Sequence, residues 1–179
     1  MTPQDILTFW FDEHDSKDWY GGKTEFDDVV RSKFGALLEQ AERGELFAWR
    51  KTAKGRLAEI IMLDQFTRQL YRQQARSFAC DTLALALAQE TVSLGVDKEL
   101  SQLERQFLLM PYMHSESLVI HDEAVRLFTE LGNDYILKFE MDHRDLIERF
   151  GRYPKRNEAL GRVSTPQELE YIASSKGMF

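Results

Sequence analysis

Residues 53–73 constrain this chain more than any other stretch. On a helical wheel with Leu57 at the origin and 100° per residue, Leu57, Ile60, Ile61 and Tyr71 fall within about 60° of the reference. Ala58, Met62, Leu63, Phe66 and Leu70 cover the remaining sides. A helix that is apolar nearly all round is expected to lie at the centre of a domain, covered by other helices. Asp64 and Arg68 sit in the middle of the main stripe, four residues apart. They are therefore expected to lose most of their water and to pair with each other. Arg72 extends the same edge by one turn.

The rest of the chain reads as covering helices. Thr2, Pro3 and Asp5 form a start signal ahead of Ile6, Leu7, Trp10 and Phe11. A polar, aromatic loop over 12–23 leads to Thr24 and Asp27, spaced as a capping pair. They are followed by a 3.6-residue stripe of Val29, Val30, Phe34, Leu37, Leu38 and Ala41 up to Gly44. Thr52 is placed to cap the central helix, and Ser77 or Asp81 the next, which ends near Gly95. Ser101 and Glu104 are spaced as a capping box for a helix that Pro111 should kink or restart before it runs to Leu131 and Gly132. Helices over 134–150, closed by Gly151, and after Thr165-Pro166-Gln167-Glu168 complete the series. The expectation is a single all-α domain over 1–179, with about seven helices packed as antiparallel hairpins. No strand, low-complexity segment or linker stands out, and no internal repeat is visible.

Composition narrows the function classes. One cysteine, Cys80, excludes an intrachain disulfide and suits a reducing compartment. The N-terminus lacks the basic and apolar regions of a signal peptide, and no apolar run is long enough to cross a membrane, so a cytoplasmic location is expected. A net charge of −7 argues against nucleic acid as a partner. The charge is unevenly spread: Arg149, Arg152, Lys155, Arg156 and Arg162 cluster against Glu158 alone. Phe150, Tyr153 and Pro154 alternate with these cations and should pin the segment down. Guanidinium forks suit carboxylates and phosphates, supplied either by a ligand or by the protein's own acidic helices.

Two more polar groups face inward. His143 falls in the core stripe of Ile136, Phe139, Leu146 and Phe150. Glu116 lies near the stripe of Met113, Ile120, Ala124, Leu127 and Leu131, with His114 and His121 on its flank. If this segment is one helix, His114 and Glu116 point about 160° apart. His114 and His121 are then roughly 10.5 Å apart along the axis. No metal site is expected from such spacing, and no cofactor is called for. His121-Asp122 lacks the upstream histidine and distant aspartate of His-Asp phosphohydrolases. There is no phosphate loop or nucleophile elbow.

Several longer motifs resemble one family: Phe9-Trp10-Phe11; Leu63-Asp64-Gln65-Phe66 with Arg68, Tyr71 and Arg72; Phe78-Ala79 with Asp81; His114-Ser115-Glu116; His143 and Arg149-Phe150-Gly151-Arg152-Tyr153-Pro154 with Arg156-Asn157; and Leu160-Gly161-Arg162 with Ser164-Thr165-Pro166 and Glu168. These match, in order and over nearly the whole chain, the bacterial domain of unknown function 924. Thr67 and Lys155 depart from it, at positions that often hold proline and histidine. The resemblance implies a tetratricopeptide-like α–α superhelix and carries no activity with it.

From these residues the first functional expectation is a polar pocket for an anionic small molecule, with hydrolysis or group transfer as its chemistry. His143, His114 and Glu116 would be the acid–base groups. Asp64, Arg68, Arg72, Arg152, Arg156 and Asn157 would hold the ligand. A groove for an acidic peptide is the second expectation. A network of internal ion pairs without any ligand is the third.

Overall fold

The computed structural model describes residues 1–22 and 24–175. The fold is all-α, and no strand occurs among the described residues. Helix α1 (Pro3–Leu7) passes into a wider π-helical turn, Thr8–Asp12, and α2 is the short Ser16–Trp19. Then come α3 (Thr24–Glu42), α4 (Ala53–Ile61), a second π-helical turn at Met62–Phe66, and α5 (Thr67–Leu70). They are followed by α6 (Asp81–Ser93), α7 (Gln102–Met113), α8 (Leu118–Leu131), α9 (Asp134–Phe150) and α10 (Pro166–Ser174). The chain clusters into two compact units: Met1–Arg72 with Arg76–Pro111, and Gln73–Ala75 with Tyr112 onward. The division falls inside α7, where no linker composition marks it.

In the first unit the stretch 53–70 is the central helix expected, with Leu57, Ala58 and every residue from Ile60 to Leu63 fully buried. The side chain of Thr52 accepts the amide of Gly55 at 3.1 Å to start it. Gly55 is required there, because a Cβ would lie 2.0 Å from the Trp49 carbonyl oxygen. Helices α1, α3 and α6 pack around this axis. An aromatic cluster fills the space between them: Trp10 meets Trp19 at 5.5 Å, Phe66 at 5.6 Å and Phe107 at 5.6 Å, while Phe9 meets Phe34 at 4.8 Å. Rings at these offsets add to the area they bury.

In the second unit, α8 and α9 form a hairpin joined by Gly132 and Asn133. Gly132 takes a left-handed φ of 73°, which ends α8, and the Asn133 side chain accepts the Ile136 amide to start α9. Leu146, Ile147 and Tyr153 form a small core, backed by Phe150 and Tyr171. Thr165 and Glu168 cap α10 reciprocally, as their spacing predicts.

Two local expectations are corrected. Asp27 does not serve a cap: Thr24 is already helical and the Asp27 carboxylate takes the Arg72 fork. Lys23, the end of the expected loop, lies outside the described residues. Pro111 does not restart the helix; it sits within α7, and the break comes instead at residues 114–117. The physical reason is that the carbonyls freed at this break are captured by side chains from elsewhere in the second unit.

Candidate functional site

The candidate residues divide between the two units, and the arginines resolve first. In the first unit Asp64 is fully buried in the π-helical turn, where its carboxylate accepts from the Gln65 amide and lies 3.3 Å from Arg68. The expected pair is therefore present. The main partner of Arg68 is nevertheless Asp81 in the first turn of α6, gripped by both fork nitrogens at 2.9 and 3.0 Å. A carboxylate there also meets the positive end of the α6 dipole. Arg72 grips Asp27 with Nε and Nη2, and Nη2 also contacts the Gln69 side-chain oxygen.

In the second unit the break after α7 leaves carbonyls without helical partners. Tyr153 Oη donates to the Met113 carbonyl, Arg156 Nη2 donates to that of His114 at 2.9 Å, and His121 Nε2 lies 2.8 Å from that of Ser115. Glu116 then closes the break. Its oxygens accept the Arg162 fork at 2.6 and 3.0 Å and the Tyr153 amide at 2.8 Å. Burial pushes the Glu116 carboxyl up, but these hydrogen bonds, with the charges of Arg156 and Arg162, outweigh it and hold the group below its ordinary value. Arg156 also lies over the Tyr153 ring, 4.5 Å from its centroid.

Arg152 forks onto Glu168 at 2.6 and 2.8 Å and donates to the Val163 carbonyl. That ion pair, with the Thr165 amide, brings the Glu168 carboxyl down to about 2. Asn157 is 1% exposed; its Nδ2 donates to Ser164 Oγ at 3.0 Å, while its Oδ1 meets no donor.

His143 differs in kind. It is nearly buried, and its Nδ1 lies 2.7 Å from the Phe139 carbonyl, so this nitrogen carries the proton of the neutral ring. Burial, joined by the charges of His114, His121 and Arg156, drives its pKa down to about 3 against the opposing pull of the Phe139 bond. The imidazole is neutral at physiological pH, stacked edgewise on Tyr153 at 5.6 Å.

The sequence reading passed over one buried pair. His121 and Glu140, on α8 and α9, are both fully buried and meet at 2.6 Å. Glu140 follows Ile136 by four residues and precedes His143 by three, so the wheel that placed His143 inside places Glu140 beside it. In the first unit the same oversight covers Glu59, fully buried on α4 and forked by Arg50 at 2.6 and 2.7 Å.

Among the described residues no group of three or more histidine, cysteine or acidic side chains is placed to hold a metal ion. No helix among them is long and apolar enough to cross a membrane. Cys80 is a buried thiol, pushed up to about 11 by burial, which makes it a weak nucleophile.

Comparison with known proteins agrees with the motif pattern. The chain is similar to a solved protein of unknown function from Agrobacterium tumefaciens at 35% sequence identity, with 97% of each chain covered and a TM-score of 0.91. No functionally curated protein matches it. The model of a bacterial protein family of unknown function, DUF924, matches residues 6–176, and the chain belongs to that family.

Proposed function

We propose that the second unit binds a small carboxylate- or phosphate-like anion at His143, with His114 and Arg156 as the neighbouring groups. In this reading Asp64, Arg68, Arg72 and Arg152 belong to the framework, because the forks of all three arginines are closed on carboxylates of the chain. Glu116 and Asn157 shape the segment around the site by holding the break and the turn in place.

The observation that carries the proposal is the setting of His143. A nearly buried, neutral imidazole has its Nδ1 proton committed to a backbone carbonyl while the fixed positive charge of Arg156 acts on it. Burial penalises any charge placed there, and it is the positive charge of Arg156 that favours an anion over a cation. An anion beside the ring would favour the imidazolium, so binding would bring a proton with it. His143 would then be the proton acceptor from a bound acid, which is the step that hydrolysis or group transfer on such a substrate needs.

Sulfate tests this, because its charge is constant across the relevant pH range. Calorimetric titration of the whole protein is expected to show sulfate binding that strengthens from about pH 8 to about pH 5.5, with proton uptake. His143→Gln keeps a polar side chain and should abolish both. Binding that is absent in the wild type, independent of pH, or unchanged in His143→Gln overturns the reading.

A further inference from the structure

The His121–Glu140 pair supports a conclusion about the proton it holds. The Ser115 carbonyl, 2.8 Å from His121 Nε2, has no hydrogen to give, so Nε2 must carry one. Nδ1 faces Glu140 Oε1 at 2.6 Å. With Nε2 protonated, a hydrogen bond at that distance needs a second proton, lying either on Nδ1 or on the carboxyl. In both forms the pair is neutral overall and holds two protons. Removing one would leave a fully buried carboxylate facing an imidazole lone pair, shielded from bulk solvent.

We propose that this shared proton is a pH-sensitive latch: it ties α8 to α9 and fixes the Ser115 carbonyl at the break after α7, and its loss at alkaline pH loosens the second unit. The bonds concerned are the only links the latch needs. His121 holds Glu140 through one ring nitrogen and the break through the other.

The surrounding groups leave the sign unchanged. Tyr153 Oη lies 3.1 Å from Nε2 and gives its own hydrogen to the Met113 carbonyl. His143, on α9, is kept neutral by burial, and the charges of His114 and Arg156 that act on it are part of that setting. Arg144 on α9 favours the ionised carboxylate of Glu140, but it is shared with Asp122 and Glu148. Burial prevails over His121 and Arg144 and raises the Glu140 carboxyl above its ordinary value.

The linkage follows from counting protons on the pair. In the unfolded chain an ordinary Glu ionises at about 4.3 and an ordinary His loses its charge at about 6.5. Above about pH 6.5 the unfolded pair therefore holds one proton and the folded pair two, so folding is weakened as pH rises. Glu140→Gln supplies an isosteric test. Its amide donates to Nδ1 while Nε2–H still serves Ser115, so the folded variant needs no shared proton.

The experiment is denaturant unfolding of wild type and Glu140→Gln, full chain, from about pH 5 to about pH 8. The ratio of unfolding constants, wild type over variant, is expected to rise about tenfold per pH unit across this range. A ratio that stays constant with pH overturns the latch. Nitrogen-resolved NMR of wild type at about pH 8 keeps the idea open to refutation if the variant fails to fold. A protonated His121 Nε2 with a shared proton at Nδ1 is expected. An Nε2 that carries no proton refutes it.

Discussion

The two units bury charge in opposite ways. In the first, the buried carboxylates Asp64 and Glu59 meet the guanidinium groups of Arg68 and Arg50, and Arg68 also grips the partly buried Asp81. The same unit holds a large aromatic core, and Arg50 and Arg68 stay partly exposed. In the second, the core is small and polar groups occupy the middle: Tyr153, His121, Glu140 and His143 are all buried. There polar groups replace a missing turn of helix, since Tyr153 and His121, together with Arg156, cap the carbonyls of 113–115. Packing should thus dominate the stability of the first unit, and hydrogen-bond geometry and protonation that of the second.

Substitutions can break that contrast, and the largest effects belong to the first unit. Phe66→Ala removes a fully buried ring between Trp10 and Phe34 and should cost about 3–5 kcal/mol in denaturant unfolding. Arg68→Met leaves Asp64 buried without its cation and should cost about 3 kcal/mol, with much of the loss recovered when Asp64→Asn is added. Tyr153→Phe keeps the ring and deletes only the hydroxyl that caps Met113. It should cost about 1–3 kcal/mol, and amide exchange should rise first around residues 113–121. Arg126→Ala cuts an exposed pair with Glu123 and Glu130 on α8 and should change stability by less than about 1 kcal/mol. If Tyr153→Phe proved as costly as Phe66→Ala, the proposed difference between the units would be wrong.

Most of the fold is legible in the sequence, because its helices announce their ends locally. The Thr52 cap, the Ser101–Glu104 and Thr165–Glu168 boxes, and the left-handed glycines 132 and 151 all act within a few residues of themselves. The break at 114–117 is different. It is stabilised by Tyr153, Arg156 and Arg162, some forty residues downstream, so local propensity carries no trace of it. The candidate site was legible to the same degree. Periodicity places Asp64, Arg68 and His143 inside, since burial is a property of the helix face. Partners are a property of tertiary packing, which is why Asp81, Asp27 and Glu168 emerge only in the structure as the acceptors for Arg68, Arg72 and Arg152. Glu140 could have been found from its place on the His143 stripe. Its pairing with His121, on the flank of the α8 stripe, could not, because that depends on how α8 packs against α9.

His143 gives the most direct test of how the second unit holds its polar groups. Its folded pKa is depressed below the ordinary 6.5, so it contributes stability above that pH and loses it as pH falls toward about 3. Titration of the histidine ring nitrogens by NMR in the ligand-free protein reads this group alone. The account predicts a neutral His143 ring, protonated on Nδ1, at every pH down to about 4, where the other histidines can be compared in the same spectra. A midpoint for His143 near 6.5 would contradict it, because the ring would then be solvated and the proposed interior anion site would lose its basis.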